Sequence, residues 1–240
     1  MNAIPKRYQG LSARLTYGFR DTYMIDVNFG YTGSENFQPG RRFGFFPSVA
    51  LGWVPTQYEF MKNAKWLNFL KIRASYGTVG NDRIANKRFP YLTIVNRGSN
   101  SPWGSTSQET LIESYIGADN LEWEVATKFD LGIEGKLFDN RIDFVVDFFN
   151  DVRTGIYQRR VQVPSYVGLT SMPFSNVGEM RSYGADGNIS YTERLTKDLS
   201  LTLRGNFTYS KNDIDNWEEA NPAYPYQEHA GYPNGVVRGY

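Results

Sequence analysis

Apolar and polar residues alternate along most of this chain, a pattern that predicts β-strands. In the stretch LKIRASYGTVGN, Leu70, Ile72 and Ala74 fall on one side of an extended chain. The residues between them, Lys71 and Arg73, fall on the other side. Successive strand residues point to opposite faces of a sheet, so this spacing indicates a strand whose two faces meet different surroundings. The alternation by itself leaves open which face meets water.

Eight segments alternate in this way, and they are long. They extend over about 9 to 18 residues, whereas strands of globular proteins average roughly 5–6, and a tilted strand that crosses a membrane needs about 9–11. The segments are 11–19, 23–33, 43–53, 69–80, 121–138, 141–150 with its extension, 177–191 and 199–210. Their length favours an all-β fold of antiparallel strands that cross a membrane.

Two short turns fix the strand register that we predict. A two-residue turn at Asp139 and Asn140 places Leu137 opposite Ile142, because paired residues lie equally far from the turn. The first hairpin, centred on Asp21, follows the same rule. The other predicted pairs are Lys136 with Asp143, Gly135 with Phe144, Ile133 with Val146, Leu131 with Phe148, Phe19 with Tyr23, Tyr17 with Ile25, Leu15 with Val27, and Ala13 with Phe29. Both registers keep the apolar and polar faces separate, as a sheet between two environments requires.

The connections between the segments are sorted by length. Short links are predicted near residue 21, at 139–140 and at 192–198, and long links at 34–42, 81–120, 151–176 and 211–234. The intermediate link 54–68 has the composition for a short helix. Short periplasmic turns at one end and long extracellular loops at the other are typical of outer-membrane barrels. We therefore predict an antiparallel transmembrane β-barrel segment.

Charged residues of both signs lie inside the strands, on the polar face. In an outer-membrane barrel this face lines a wet lumen and the apolar face meets lipid, whereas in a β-sandwich the apolar face forms the core. Lys71 and Arg73 could guide an anionic ligand, but pairing with carboxylates of neighbouring strands is the more common role. We predict that the lumen-facing charges are Arg14, Asp26, Lys71, Arg73, Glu124, Lys128, Asp130, Glu134, Lys136, Asp143 and Asp147.

Aromatic residues make up 16% of the chain and occur in two kinds of place. Rings near the ends of the apolar face suit the two lipid–water interfaces. They are Phe19, Tyr23, Tyr31, Trp53, Tyr76, Trp123, Tyr191 and Tyr209. Rings in the loops can contact a ligand or a partner, and they can also pack against each other. As candidates for ligand or partner contact we identify Trp103, Tyr115, Tyr166, Trp217, Tyr224 and Tyr226.

The remaining composition narrows the chemistry. Lys plus Arg number 26 and Asp plus Glu 25, so a formal net charge of +1 gives no reason to propose a nucleic-acid partner. Cysteine is absent and His229 is the single histidine, which leaves no basis for a thiolate or histidine metal site. The acidic stretch DIDNWEE lacks the spacing of a calcium loop and is predicted to be solvated. An all-β hydrolase has no motif behind it, and we predict neither cofactor nor catalysis.

The ends of the chain lead us to expect a piece of a longer protein. The N-terminal MNAIPKRYQG has no apolar segment or cleavage site of a signal peptide. The C-terminal GVVRGY looks like the beginning of another strand. We expect residues 1–240 to be one partial barrel domain.

Several blocks of sequence resemble the SusC/RagA family of TonB-linked outer-membrane proteins of Bacteroidetes. They are FGFFPSVALGW at 43–53, EFMK at 59–62, LNFLKIRASYGTVGND at 67–82, NLEWE at 120–124, GIEGKLFDNRI at 132–142 and NVGEMRSYGADGNISY at 176–191. The resemblance runs over most of the chain, in the same order. It implies a 22-stranded barrel with an N-terminal plug. On this resemblance we expect the plug, the signal peptide, the TonB-contacting segment and the final strands of such a barrel to lie outside this chain.

The resemblance also implies a function and partners. The expected protein is integral to the Gram-negative outer membrane and imports oligosaccharide or peptide nutrients, driven by the TonB complex through the missing N-terminal region. A SusD-like surface lipoprotein would cap its extracellular mouth. The alternative is a soluble or surface-displayed β-sandwich that binds carbohydrate through the loop aromatics. The two hypotheses differ in what covers the apolar face of the sheet, which is lipid in the barrel and the protein core in the β-sandwich.

Overall fold

The computed structural model describes residues 7–83, 88–169, 171–221 and 223–236. Within these ranges the chain consists almost entirely of strands joined by turns and loops. The strands are β1 (Tyr8–Phe19), β2 (Tyr23–Ser34), β3 (Phe43–Trp53), β4 (Leu67–Asn81), β5 (Ile94–Trp103), β6 (Thr106–Tyr115), β7 (Glu124–Leu137), β8 (Ile142–Arg159), β9 (Phe174–Arg194) and β10 (Ser200–Asn216). The helical segments are α1 (Glu59–Lys62) and the 3₁₀ turns Pro55–Gln57, Ser165–Val167 and Pro225–Gln227.

Eight strands form one antiparallel sheet, as the alternation predicts. Its order is β1-β2-β3-β4-β7-β8-β9-β10, so strands that are neighbours in the sheet are also neighbours in sequence except where β5 and β6 intervene. β5 and β6 pair with each other as a separate hairpin. Within the described ranges β1 and β10 each pair on one side only, so the sheet does not close on itself. The predicted all-β, antiparallel fold is confirmed.

The predicted register is confirmed at both hairpins. All pairs expected from the two turns are present, from Phe19↔Tyr23 outward in the first hairpin and from Leu137↔Ile142 outward in the second. At the second turn Asp139 has a φ of 58°. This left-handed conformation is the one that two-residue hairpin turns require and that Asp and Asn tolerate.

Two of the long links are shorter than predicted, because the strands continue past the alternating segments. β8 extends to Arg159 and β9 begins at Phe174, which leaves 160–173 as the link between them. β10 likewise extends to Asn216. These extensions mix polar and apolar residues without a period of two, so pairing continues where the pattern no longer signals it.

Two other links contain secondary structure. The predicted link 81–120 holds the β5–β6 hairpin, and the link 54–68 holds the short helix α1, as its composition indicates. The strand beginning expected at the C-terminus falls mainly on residues 237–240, which lie outside the described residues. No helix in the described part of the chain has the length and apolar character needed to cross a membrane.

Buried apolar side chains lie at the ends of the sheet and in the loops rather than over the centre of the sheet. Among the described residues they are Phe37, Val54, Tyr115, Ala118, Leu121 and Ile214. A β-sandwich would bury the apolar face of its central strands under a second sheet. No such second layer exists in the described ranges, where the β5–β6 hairpin stands apart from the main sheet. The β-sandwich alternative is therefore wrong.

Candidate functional site

The apolar face of the eight-stranded sheet is exposed from one edge to the other. Leu15 on β1, Tyr76 on β4 and Leu203 on β10 are 70%, 54% and 57% exposed. Apolar patches on soluble monomers rarely exceed a few hundred Å², so an exposed apolar face of this extent is not typical of a protein surrounded by water. It requires an apolar environment outside the chain.

Arg73 lies at the centre of an ion-pair network on the polar face. Its Nη2 lies 2.6 Å from Asp147 Oδ1, and its Nη1 lies 3.6 Å from Asp130 Oδ1. Its Nε is 3.0 Å from Glu134 Oε1, an electrostatic contact without hydrogen-bond geometry. The same carboxylate lies 3.4 Å from Lys71 Nζ. Both cations therefore pair with carboxylates of other strands, as predicted.

The other charges predicted on the polar face are also paired. The pairs are Arg14 with Asp26, Lys128 with Asp151 at 3.2 Å, Lys136 with Asp143 at 3.6 Å, and Arg153 with Glu124 at 3.4 Å. Each pair joins adjacent strands of the sheet. Solvent screening leaves exposed ion pairs with little effect on stability, so the main consequence of these pairs is a polar face with little uncompensated charge.

A small apolar core forms where the long links meet, at what we call the loop end of the sheet. Phe37 and Leu121 are 0% exposed and Ala118 is 5% exposed. Tyr91 and Tyr157 pack against this group. Phe37 comes from the link between β2 and β3, whereas Ala118 and Leu121 come from the link between β6 and β7. This loop core therefore joins segments that are far apart in the sequence.

Hydrogen bonds hold the same loops in place. The side chain of Gln38 donates to the carbonyl of Asp119 at 2.6 Å, and the side chain of Asn36 donates to the carbonyl of Asp82 at 3.0 Å. The carboxylate of Asp82 accepts a hydrogen bond of 2.8 Å from Ser34. Segments with buried contacts and internal hydrogen bonds open less readily than solvated loops. The loop end is therefore a preformed surface.

Tyr115 is one of the predicted contact residues, but it belongs to the interior of the loops. It is 6% exposed. Its hydroxyl donates to the carbonyl of Pro90 at 3.0 Å and lies 2.8 Å from the hydroxyl of Tyr157. Burial, and then the hydrogen bond with Tyr115, raises the pKa of Tyr157 above its ordinary value. Tyr115 therefore orders the loops and is not among the rings exposed for a ligand.

Trp123 does not lie in the predicted girdle of the apolar face. Its ring stacks on Phe37 at 4.9 Å and meets Phe46 edge-on at 5.3 Å. Its Nε1–H donates to the carbonyl of Arg42 at 3.3 Å. The prediction is wrong for this residue because β7 begins only at Glu124, so Trp123 belongs to the loop and not to the alternating strand.

The other predicted loop aromatics are exposed or partly exposed. Tyr166 is 88% exposed and Trp103, at the tip of the β5–β6 hairpin, is 78% exposed. Tyr224 stacks on Tyr226 with ring centroids 5.5 Å apart, and Trp217 is partly buried. Trp103, Tyr166 and the group of Trp217, Tyr224 and Tyr226 come from three different segments, so they offer three separate candidate contacts.

Two carboxylates of the stretch DIDNWEE organise their loop, which differs from the solvated loop that the sequence predicts. The side chain of Glu218 accepts a hydrogen bond of 3.1 Å from the backbone N–H of Gln162. The side chain of Glu219 accepts hydrogen bonds of 2.8 Å from the backbone N–H groups of His229 and Ala230. Their oxygen atoms thus serve loop structure, a role that depends on chain reversals that the sequence pattern does not show.

The hydrogen bonds to Glu219 are expected to weaken in acid. Burial opposes ionisation of this carboxyl group, but hydrogen bonds from Ala230 and His229 outweigh it and hold the pKa of Glu219 below its ordinary value. A lowered carboxyl pKa gives stability that is present at neutral pH and lost as the pH falls through the ordinary and then the lowered value. Protection of these two amides against hydrogen exchange, corrected for its intrinsic pH dependence, should be full at neutral pH and should be lost as the pH falls below the ordinary pKa of a glutamate carboxyl, about 4.3.

The matched control for this loop is Glu219→Gln, which keeps the shape of the side chain and removes its titration. Its amides at His229 and Ala230 should be less protected at neutral pH and should not change across the acid range. Identical pH profiles for the two proteins would contradict the role assigned to Glu219.

A recess at the loop end, in the gap where β3 and β4 separate, is a candidate contact site that the sequence did not reveal. β3 and β4 stop pairing above Ser48↔Gly77, and the ring of Phe46 reaches toward β4 beyond this point. A Cβ atom at Gly80 would overlap that ring, so the close approach depends on glycine. The sequence shows that Gly80 is a glycine within a strand. It does not show that the ring of Phe46 packs against Gly80, because this contact depends on where β3 and β4 stop pairing.

This recess combines aromatic and polar groups. Its volume is about 310 Å³, and its lining includes Tyr8, Thr32, Phe46, Thr78, Asp82 and Trp123. Concave sites with rings and a few convergent polar groups are typical of small-ligand contacts. The arrangement can hold a flat, partly apolar group against the rings and direct hydrogen bonds at its edge.

The sequence matches a known family over nearly its whole length. The family model described as TonB dependent receptor-like, beta-barrel matches residues 7–234. TonB-dependent receptor P3 of Formosa agariphila is 29% identical over 202 residues, and TonB-dependent receptor SusC of Bacteroides thetaiotaomicron is 29% identical over 205 residues. Each alignment covers 84% of this chain and 20% of the relative, so the chain spans about a fifth of the length of the curated relatives it matches.

Solved structures give the same result. The RagAB peptide importer in its open-open state matches with a TM-score of 0.79 at 25% identity, covering 94% of this chain and 24% of that chain. A structure of the RagAB peptide transporter matches with a TM-score of 0.76 at 26% identity, covering 94% and 25%. A long-stranded antiparallel sheet with an exposed apolar face, a family match over residues 7–234 and these neighbours identify the chain as part of an integral outer-membrane barrel: it belongs to the TonB-dependent receptor β-barrel family, in the SusC/RagA group.

Proposed function

We propose that this chain supplies part of the barrel wall and the extracellular loops of an outer-membrane importer that takes up oligosaccharide or peptide nutrients in a TonB-dependent manner. The observation that carries the proposal is the match of residues 7–234 to the receptor barrel family. The names of the relatives describe receptors and a transporter. Transport without catalysis is therefore the activity that we assign.

The two faces of the sheet have different roles in this proposal. The apolar face meets lipid, and the polar face lines the lumen through which the nutrient passes. The cations Lys71 and Arg73 are held by the carboxylates of Asp130, Glu134 and Asp147, so we assign them to the stability of the wall. A wall with little uncompensated charge would not trap neutral sugars or zwitterionic peptides on their way through.

Ligand contact is assigned to the loop end of the lumen. The rings of Phe46 and Trp123 line a recess there, and aromatic faces can contact the apolar faces of sugars and peptide side chains. Thr32 and Thr78 line the same recess and provide hydroxyl groups that both classes of nutrient can hydrogen-bond. The exposed loop rings, among them Trp103, offer further contacts to ligand or partner.

The partners follow from the same assignment. A SusD-like surface lipoprotein would cover the extracellular loops, and the TonB complex would act through an N-terminal region of the longer protein, beside its plug. Residues 1–240 would form one part of the barrel domain. A solved relative is described as a peptide importer in open-open and closed-closed states, which supports a barrel whose mouth opens and closes.

The test is deletion of the full-length gene, followed by uptake measurements with defined oligosaccharides and defined peptides. Uptake of one of the two classes should be lost and should return with the wild-type gene. A protonophore should abolish it as well, because TonB draws on the proton gradient. Unchanged uptake of both classes, or recovery of the full-length protein from the soluble periplasm, would contradict the proposal.

A further inference from the structure

A second recess opens on the apolar side of the sheet, at the loop end of β1, β2 and β3. Its volume is about 750 Å³. Gln9 and Gly33, a directly opposed pair of β1 and β2, contribute to its floor. Phe43 lies opposite Gly33 on β3 and lines the same recess. A Cβ atom at Gly33 would overlap the Phe43 ring, so the ring covers the glycine on this face.

Two arginines line this recess from positions just before strands. Arg7 precedes β1 and Arg42 precedes β3. In the described part of the chain neither guanidinium forms an ion pair with a carboxylate. Arg42 donates from Nε to the carbonyl of Phe37 at 3.2 Å, which fixes one edge of the guanidinium. The Nη groups lie at the other edge of the Arg42 guanidinium and are not used by this hydrogen bond.

The acidic group in the same recess is already neutralised. Glu35 lines the recess and forms an ion pair with Arg88. The carboxylate of Glu35 therefore does not compensate Arg7 or Arg42. The recess has a net positive character, in contrast to the balanced polar face on the other side of the sheet.

The recess lies directly above the aromatic rim of the apolar face. Tyr31 and Phe43 are 44% and 45% exposed, and their rings stack with centroids 5.0 Å apart. Exposed aromatic rings at the end of an apolar belt mark the lipid–water interface. A group held in the recess would therefore lie at the depth of the outer-leaflet headgroups.

We propose that this recess binds the phosphate-bearing headgroup of an outer-leaflet glycolipid, with Arg7 and Arg42 as the phosphate-binding residues. Guanidinium groups bind phosphate through paired charge-assisted hydrogen bonds. Basic groups just outside an apolar belt are also the usual basis for recognition of anionic headgroups. Gln9 adds an amide that can bond the sugar hydroxyls, and the acyl chains continue downward over the rings of Tyr31 and Phe43. The site differs from the recess assigned to the import path, because Gln9, Gly33 and Phe43 belong to the apolar face, although Tyr8 lines both recesses.

A free phosphate ion would use the same two arginines, so the two sources have to be separated. A glycolipid also buries its acyl chains against the apolar face, which adds affinity that inorganic phosphate lacks. Lipid should therefore remain bound in the presence of excess inorganic phosphate.

The test uses the full-length protein, purified in detergent, stripped of lipid and titrated with purified lipid A under native mass spectrometry. The double variant Arg7→Gln, Arg42→Gln should bind lipid A about 30-fold more weakly, which corresponds to about 2 kcal/mol for two interfacial cations. The matched control is Arg97→Gln. It removes an arginine whose side chain is 79% exposed and pairs with Glu109 at 3.4 Å on the β5–β6 hairpin, far from the recess in sequence. It should bind lipid A as the wild type does.

Three outcomes would overturn the proposal. Equal lipid A binding by the double variant and the wild type is the first, and a similar loss in Arg97→Gln is the second. The third is displacement of lipid A by inorganic phosphate, which would assign the recess to a free anion. Retention of the heat-modifiable gel mobility of folded barrels checks the fold of each variant. If the double variant does not fold, Arg7→Gln alone provides the test, because Arg7 lies outside the strands.

Discussion

Leu15→Arg is expected to lower the free energy of unfolding of the full-length barrel by about 2–4 kcal/mol. Leu15 lies near the middle of β1, opposite Val27, on the apolar face. An arginine at this depth loses its hydration, because lipid tails offer no hydrogen-bond acceptor. It regains contact with water only if the bilayer thins or distorts around it, which costs free energy. Urea unfolding of the protein in lipid vesicles, followed by tryptophan fluorescence, measures the difference.

The residue next to Leu15 provides the control. Thr16→Arg places the same side chain on the polar face, where Thr16 lies 3.3 Å from Asp26. Water and a carboxylate are available there, so the expected change is within about 1 kcal/mol. If Thr16→Arg destabilises the barrel more than Leu15→Arg does, the lipid and lumen faces are the reverse of those proposed.

The difference between the two faces also explains why the sheet could be predicted from the sequence. An apolar environment on one side and water on the other select residues with a strict period of two, and the period survives along whole strands. Once turn residues such as Asp139 are recognised, the register follows by counting, and the predicted pair of Lys136 with Asp143 is present. The strands and the pairing of their charges were therefore open to prediction.

The β5–β6 hairpin was not predicted because the physical reason for alternation is missing there. Nearly all of its residues are exposed on both faces. A two-stranded ribbon with water on both sides does not require apolar residues on one face and polar residues on the other. Its sequence therefore shows no alternation and resembles that of a loop. The extension of β8 toward Arg159 escaped prediction for a different reason: it is partly buried among the loops, where Tyr157 packs against the loop core, and its residues do not alternate.

The candidate site was only partly predictable, since loop burial is decided by contacts that are distant in sequence. Tyr115 and Tyr166 are both tyrosines in predicted loops, yet the first is 6% and the second 88% exposed. The difference comes from Pro90 and Tyr157, which meet the Tyr115 hydroxyl only after the loops have folded together. The prediction of Trp123 as a girdle residue failed for a related reason, because its ring stacks on Phe37 of a distant loop.

Phe37→Ala is expected to reduce the stability of the loop assembly by about 3–5 kcal/mol, the usual loss when a buried phenylalanine is truncated. Phe37 is 0% exposed and packs with Ala118 and Leu121. Truncation leaves a cavity between segments that have few other apolar contacts, and it removes the ring on which Trp123 stacks. The strands hold each other through backbone pairing along their whole length, so the sheet should remain folded while the loops open.

Hydrogen exchange on the full-length protein separates loop opening from loss of the barrel. The amide of Ala118 donates to the carbonyl of Pro90 at 3.1 Å, and that of Leu121 donates to the carbonyl of Ala118 at 3.2 Å. Both amides should exchange much faster in Phe37→Ala, whereas amides in the paired centre of β7 and β8 should keep their protection. Phe45→Ala is the matched control, because this ring is 59% exposed on the apolar face, and its loop amides should behave as in the wild type. Unchanged exchange at Ala118 and Leu121 would show that hydrogen bonds alone hold the loops, and equal loss of protection in β7 and β8 would show that loops and wall unfold as one unit.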